Sequence, residues 1–195
     1  MQVQPALLAA IALATLSACS TTQSSNETKS TTTTTTKPAT TSTIPAVGEP
    51  APIFVLPTNE NKLLSLERLG GKWVVLYFYP KNFTGGCTLE AQNFQRDIAR
   101  YEALGAVILG VSVDSVASHK EFCAKEGLSF RLLSDADGAV SGQYGSLNVR
   151  GGNKTSARNT FVINPNGKIA AVFTAVSPAN HSENVIAKLE ELRGQ

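Results

Sequence analysis

The feature that most constrains the fold is the run from Trp73 to Tyr79, Trp-Val-Val-Leu-Tyr-Phe-Tyr, in which every side chain is apolar or aromatic. Because polar and apolar residues do not alternate, the run predicts a central β-strand covered on both faces. Pro80 ends this strand. A second, largely apolar run extends from Ala106 to Val113, and between the two runs the apolar residues from Cys87 to Leu104 recur at helical spacing. The order strand, helix, strand indicates a sheet with a helical crossover.

The following segments continue this alternation. The predicted elements are a helix from Ser115 to Gly127, a strand from Phe130 to Leu133, a short helix from Asp137 to Tyr144, a β-hairpin pairing Thr160 to Ile163 with Lys168 to Thr174, and a last helix from Asn180 to Leu192. This order predicts an α/β domain whose central, mostly parallel β-sheet is flanked by helices on both faces and carries a C-terminal β-hairpin edge. A thioredoxin-like fold fits the order, and so does a flavodoxin-like one.

The N-terminal part of the chain has a different character. Ala6 to Ala18 is almost entirely apolar, shorter than the roughly 20 residues of a membrane-spanning helix but typical of an export signal. It leads into Leu16-Ser-Ala-Cys19, which resembles the lipobox of bacterial lipoproteins, where the cysteine is lipidated. Met1 to Pro5 lacks the usual Lys or Arg, and a plain cleaved signal with an incidental Cys19 is the alternative. Residues 1–19 are therefore predicted to be an export signal ending in a lipobox-like site.

Residues 20–45 are dominated by Ser and Thr and predict a disordered linker, since they offer almost no apolar surface to bury. Residues 46–195 form the globular domain. We expect an exported lipoprotein that faces the periplasm or the cell exterior and contacts the membrane through a lipid anchor on Cys19. One acyl chain binds a membrane only marginally, so this anchoring implies several chains.

Charge and composition exclude several classes of function. The formal net charge is only +2 and no basic run concentrates it, so no nucleic-acid partner is expected. Three cysteines are too few for a disulfide scaffold, and His119 and His181 are isolated in the sequence. We therefore expect no metal and no cofactor. We also expect a monomer, although no feature of the sequence decides the oligomeric state.

The segment from Pro80 to Cys87 carries the most chemical information. Cys87 lies where a predicted strand gives way to a helix, and ligand sites of open α/β sheets lie at the carboxyl ends of the strands. The first turn of a helix stabilises a thiolate through its backbone N–H groups and its dipole. Thr84 precedes Cys87 closely enough to bring its hydroxyl to the sulfur. These residues alone leave open both a reactive thiol and a buried structural cysteine.

Pro80-x-x-x-Thr84-x-x-Cys87 matches the active-site signature of the peroxiredoxins. The longer run from Tyr77 to Glu90 resembles the bacterioferritin comigratory protein, or peroxiredoxin Q, subgroup. The resemblance covers about Val47 to Leu192. Further matching segments are Gly110 to Asp114, Leu133 to Asp135 and Ala157 to Phe161.

This resemblance implies a thioredoxin-like fold and a thiol-dependent peroxidase that reduces hydrogen peroxide and organic hydroperoxides. It implies that Cys87 is the peroxidatic cysteine, which becomes a sulfenic acid. Thr84 then orients the peroxide, Pro80 packs the loop, and Arg158 places its guanidinium near the thiolate. Arg is always charged and stabilises a neighbouring thiolate, whereas without the resemblance Arg158 would be one surface charge among others.

Two positions depart from the family pattern. Gly85 stands where the family usually has Pro, so a more flexible loop is expected, and Gln92 stands where many members have a resolving cysteine. The resemblance then implies that Cys123 is the resolving cysteine and forms an intramolecular disulfide that a thioredoxin-type donor reduces. Because a disulfide needs α-carbons within about 7 Å, we expect the first helical turn around Cys87 to unwind first. The alternative is that Cys123 only packs its helix.

Two other functions fit the sequence less well. A thiol–disulfide oxidoreductase on the same fold normally uses Cys-x-x-Cys, which this chain lacks. A lipid-anchored, non-catalytic thioredoxin-fold binding domain would not need the intact set of Pro80, Thr84, Cys87 and Arg158. Export also raises a question of reductant, because compartments outside the cytoplasm are generally oxidising. Either a membrane-relayed thiol system serves the enzyme or the export prediction is wrong.

Overall fold

The structure is a computed structural model and describes residues 43–194. The predicted export signal of residues 1–19, with Cys19, lies outside the described residues, as does nearly all of the predicted linker of residues 20–45. Those assignments stay predictions. Within residues 43–194, no helix is long and apolar enough to cross a membrane.

The described region alternates strands and helices. The strands are β1 (Val55–Pro57), β2 (Leu63–Ser65), β3 (Trp73–Phe78), β4 (Ala106–Ser112), β5 (Arg131–Ser134), β6 (Leu147–Arg150), β7 (Asn153–Ser156), β8 (Thr160–Ile163) and β9 (Ile169–Phe173). The α-helices are α1 (Gly85–Arg96), α2 (Ile98–Ala103), α3 (Val116–Glu126), α4 (Ala139–Gln143) and α5 (His181–Arg193). Short 3₁₀ turns cover Leu66–Leu69 and Pro178–Asn180.

The central sheet has the strand order β5-β4-β3-β8-β9. β3 pairs in parallel with β4, and β4 pairs in parallel with β5. β8 runs antiparallel to both β3 and β9, so the hairpin β8–β9 forms the C-terminal edge that the sequence predicted. Parallel and antiparallel pairings are equal in number, and the sheet is mixed rather than mostly parallel, because the chain reverses direction before β8 pairs with the central strand.

Both faces of β3 are buried, as its composition predicted. Successive side chains of a strand point to opposite faces. Tyr77 and Tyr79 belong to a core formed with α1, α3 and α5, and Leu76 and Phe78 belong to a second core formed with α4 and the segment before β3. The carboxyl end of β3 leads into the loop before α1, which fixes where that helix begins.

The predicted helix from Cys87 to Leu104 is two helices. At Asp97 the backbone leaves the helical region (φ −96°, ψ 8°), and α2 begins at the next residue. The Asp97 carboxylate accepts hydrogen bonds from the Arg96 guanidinium and from Ser182 Oγ on α5. These tertiary contacts stabilise the break, and side-chain periodicity carries no signal of it.

The boundaries of α3 agree with the predicted helix from Ser115 to Gly127. Ser115 Oγ accepts the backbone N–H of Ser118, and Gly127 ends the helix with a left-handed backbone (φ 64°). The hairpins β1–β2 and β6–β7 were not predicted.

Candidate active site

Cys87 lies in the first turn of α1, directly after the loop that follows β3. Thr84 is the residue before the helix, and α1 begins with Gly85 and Gly86. Cys87 is 1% exposed and forms no disulfide, so it carries a free thiol just beneath the surface. The backbone N–H groups in the first turn of a helix have no intrahelical acceptors, and the positive end of the helix dipole lies there. Both features favour an anion at this position. The predicted strand–loop–helix setting of Cys87 is confirmed.

Arg158 reaches this turn from the loop between β7 and β8. Its Nη2 donates to Cys87 Sγ at 3.1 Å, and its Nη1 donates to Glu90 Oε2 at 2.6 Å. Glu90 lies one helical turn after Cys87, so both acceptors face the same side of α1. The guanidinium is therefore held between a thiol and a carboxylate in a fixed orientation.

Glu90 is fully buried, and burial raises its pKa to about 7, with the charge of Arg158 opposing the rise. Its second oxygen, Oε1, has no hydrogen-bond partner within the described part of the chain, so the ionised form is poorly solvated there. Near neutral pH the carboxyl is thus divided between its neutral and ionised forms. The Arg158 guanidinium contacts this carboxyl and Cys87 Sγ at the same time.

Thr84 and Pro80 occupy the loop that precedes α1. Thr84 is exposed, and its hydroxyl donates to the backbone carbonyl of Lys81 at 3.0 Å. Because that proton is engaged, the lone pairs of Oγ1 remain free to accept a hydrogen bond from an incoming O–H group. Pro80 is half-buried at the end of the β3 segment.

Comparison with known proteins identifies the family. A model described as the AhpC/TSA family matches residues 47–172. Over 147 residues the chain is 46% identical to a putative peroxiredoxin bcp of Coxiella burnetii, covering 73% of this chain and 97% of that protein. The chain belongs to the AhpC/TSA family and is a peroxiredoxin. Its fold resembles that of peroxidoxin BcpB from Mycobacterium tuberculosis, with a TM-score of 0.73, 31% identity, and coverage of 76% of this chain and 99% of that one.

A second solved structure extends this relationship. The bacterioferritin comigratory protein of Xanthomonas campestris, whose structures concern alkyl peroxide reduction, matches with a TM-score of 0.68 and 34% identity over 71% of this chain and 91% of that one. The thioredoxin-like fold is thereby confirmed over the flavodoxin-like alternative. As a peroxiredoxin, the protein is a thiol-dependent peroxidase.

Cys123, the predicted partner of Cys87 in this peroxiredoxin, lies on α3. It is unpaired and 7% exposed, and it belongs to the same core as Cys87. Burial raises the pKa of its thiol to about 11. Gln92, at the position where the resemblance led us to look for a nearer resolving cysteine, donates through Nε2 to Glu126 Oε2 on α3 at 2.8 Å. The side chain at this position therefore joins α1 to α3 by a hydrogen bond.

Glu90 is the functional candidate that sequence reasoning missed, although it lay within the matched motif. Arg158 was expected beside the thiolate, and a buried cation needs a counter-charge. A glutamate three residues after Cys87 on a helix was the signal available. The described residues contain no group of three or more His, Cys, Asp or Glu side chains placed to hold a metal ion.

Gly86 gives a sharp test of the guanidinium's position. A methyl group at Gly86 would lie 2.8 Å from Arg158 Nη2, too close without displacing the guanidinium. We expect Gly86→Ala to slow the reaction of the reduced protein with peroxide by about ten-fold, less than complete loss of such a donor would. Gly85→Ala is the matched control, because its methyl group would meet no heavy atom within 4 Å. Stopped-flow rates for both variants check this, and equal rates would contradict the assigned position of Arg158.

Proposed function

We propose that this peroxiredoxin reduces hydrogen peroxide and organic hydroperoxides at Cys87. The thiolate attacks one peroxide oxygen, the O–O bond breaks, and the products are the Cys87 sulfenic acid and an alkoxide or hydroxide, which takes up a proton. The observation that carries the proposal is the 3.1 Å contact from the Arg158 guanidinium to Cys87 Sγ at the start of a helix. Both features stabilise negative charge on sulfur and on the departing oxygen.

The remaining residues have supporting roles in this proposal. Thr84 accepts a hydrogen bond from the peroxide, Pro80 fixes the loop that carries Thr84, and Glu90 orients Arg158. Organic hydroperoxides are included because the Xanthomonas campestris relative is described with alkyl peroxide reduction. Exposed apolar side chains beside the site, Phe83 and Leu89, offer such a substrate an apolar approach.

Resolution is assigned to Cys123. The Cys87 sulfenic acid and the Cys123 thiol condense to a disulfide and release water, and a thioredoxin-type dithiol then returns both cysteines to the reduced form. Both cysteines are buried and lie on separate helices, so we expect the first turn of α1 to unwind around Cys87 before the bridge forms. Gly85 and Gly86 lower the conformational cost of the unwound state.

The proposal is tested by peroxide consumption with the reduced protein. Wild type should consume one equivalent of peroxide, and mass spectrometry should then find the intramolecular Cys87–Cys123 bridge. Cys87→Ser is the matched control and should consume none. If Cys87→Ser consumed peroxide at the wild-type rate, the reaction would belong to another group. If wild type consumed no peroxide, a non-catalytic binding domain would be favoured.

The cellular site of the reaction is a further part of the proposal. We propose an exported, lipid-anchored enzyme on the basis of the lipobox-like sequence ending at Cys19. Membrane fractionation together with a test for acylation of Cys19 checks it, and a soluble, unprocessed chain would overturn it.

A further inference from the structure

Asn82 is a buried polar residue in the loop of the active-site motif, and the reaction as described above does not use it. Only 3% of Asn82 is exposed, although its neighbours Lys81 and Phe83 are exposed. Its backbone N–H donates to Asp114 Oδ2 at 2.9 Å, and its Oδ1 accepts the Tyr79 hydroxyl at 2.7 Å. The other half of the side-chain amide, Nδ2, also has hydrogen-bond acceptors.

The acceptors of Asn82 Nδ2 lie on the helix that carries Cys123. Nδ2 donates to Ser118 Oγ at 2.8 Å and lies 3.1 Å from His119 Nδ1. Burial lowers the pKa of His119 to about 4, so the ring is neutral at pH 7 and has a nitrogen that can accept this bond. The loop before α1 is thus attached to the first turns of α3.

The residue after Asn82 has an unusual backbone conformation and also contacts α3. Phe83 has φ +60°, a backbone region that bulky L-residues rarely adopt. Its ring packs edge-on against Phe122, with centroids 5.1 Å apart, and Lys125 Nζ lies 5.5 Å from the Phe83 ring centroid. Both partners are on α3, on either side of Cys123 in the sequence. The attachment at Asn82 therefore fixes the loop against the same helix that holds the predicted resolving thiol.

The segment from Asn82 to Cys87 is long enough for Asn82 to stay in place while Cys87 moves. Within α3, Cys123 lies about 7 Å along the axis from Ser118. The chain from Asn82 to Cys87, fully extended, spans up to roughly 17 Å. The length of this segment therefore permits Cys87 to leave α1 and approach Cys123 while Asn82 stays bonded to Ser118.

We propose that Asn82 is a positioning residue for disulfide formation, which keeps the unwound Cys87 segment attached to α3 beside Cys123. This inference rests on the proposed pairing of Cys87 with Cys123. A short tether raises the effective concentration of the sulfenic acid at the thiol, and a longer free segment lowers it. The first oxidation depends on Arg158, the helix start and Thr84, none of which contacts the Asn82 side chain through a hydrogen bond.

The test compares two rates in one sample of reduced protein. Rapid quenching and mass spectrometry follow the sulfenic acid, the Cys87–Cys123 bridge and the Cys87 sulfinic acid after addition of peroxide. Asn82→Ala should form the bridge about ten-fold more slowly and accumulate more sulfinic acid in excess peroxide, with the first oxidation changed by less than about two-fold. Lys120→Ala, an exposed residue of α3, is the matched control and should behave as wild type.

Three outcomes would overturn the inference. Asn82→Ala could form the bridge at the wild-type rate, or lose both steps by the same factor, as a general loss of structure would produce. If wild type itself forms no Cys87–Cys123 bridge, both the proposed pairing and this inference fail. If wild type forms the bridge and Asn82→Ala forms it equally fast, only this inference fails. Ser118→Ala removes one of the two acceptors of Asn82 Nδ2 on α3 and is judged by the same criteria if Asn82→Ala does not fold.

Discussion

Replacing Arg158 by methionine should slow the reaction of Cys87 with peroxide by about 10²- to 10³-fold, the usual effect of removing one preorganised donor from developing negative charge. The methionine keeps an unbranched stem but lacks the group that donates to Cys87 Sγ at 3.1 Å. The measurement is the second-order rate constant of the reduced protein with hydrogen peroxide at pH 7.

The same substitution should also destabilise the fold, because it removes the partner of the buried Glu90 carboxylate. Breaking a buried ion pair from one side typically costs about 3–5 kcal/mol, although a carboxyl with a pKa near 7 can escape part of this by binding a proton. Urea unfolding measures the loss. Arg158→Met therefore lowers both the rate constant with peroxide and the free energy of unfolding, and a second substitution is needed to tell the two effects apart.

Glu90→Gln separates them. In the double variant Arg158→Met with Glu90→Gln, the uncompensated charge is gone, so much of the stability should return while the rate stays low. Recovery of the rate along with the stability would show that Arg158 acts only through the fold. Arg158→Lys is a useful companion, since it keeps the charge but cannot contact Cys87 and Glu90 with one planar group.

The single variant Glu90→Gln carries a pH signature. The raised pKa of Glu90 means that the folded protein retains a proton between about pH 4.5 and 7 that the unfolded chain has released. Its contribution to the free energy of unfolding is complete below this window and is lost as the pH rises through it. Glu90→Gln removes that loss, so its stability relative to wild type should grow from pH 5 to pH 8.

The parts of the fold and site that could be predicted from the sequence are those decided by local composition and local geometry. The β3 run, the helix start at Cys87, and the caps of α3 at Ser115 and Gly127 all depend on local composition and geometry. The hairpin β6–β7 (Leu-Asn-Val-Arg and Asn-Lys-Thr-Ser) is mostly exposed and polar, so it has no hydrophobic periodicity to read. Its pairing is decided by the turn and the surrounding chain.

Contacts between distant segments were predictable only where the family resemblance supplied them. Arg158 was placed near the thiolate by resemblance, and no periodicity connects it to Cys87. The Asn82 attachment to Ser118 and His119 had neither kind of signal, because an asparagine in a loop ordinarily predicts a turn. That Asn82 is instead buried among polar side chains follows from how α3 packs against the loop.

Replacing Cys123 by serine should abolish turnover with a thioredoxin-type dithiol, lowering it by about 100-fold or more, while the first equivalent of peroxide is still consumed at the wild-type rate. The reason is chemical: serine cannot condense with a sulfenic acid, so Cys87 would proceed to the sulfinic acid in excess peroxide. Steady-state peroxide consumption and mass spectrometry of Cys87 measure both effects. Retained dithiol-dependent turnover would leave Cys123 as a packing residue.

The burial of Cys123 gives this step a pH dependence of its own. Its pKa of about 11 in the folded protein means that the thiol is protonated at pH 7, and the thiolate is the form that attacks sulfur. Unwinding around Cys87 lets water reach α3, and a solvated thiol returns toward its ordinary pKa of about 8.5. The rate of bridge formation in wild type, followed by rapid quenching and mass spectrometry, should therefore rise with pH between 7 and 9. A flat profile would indicate that unwinding alone, with no deprotonation of Cys123, limits the formation of the disulfide.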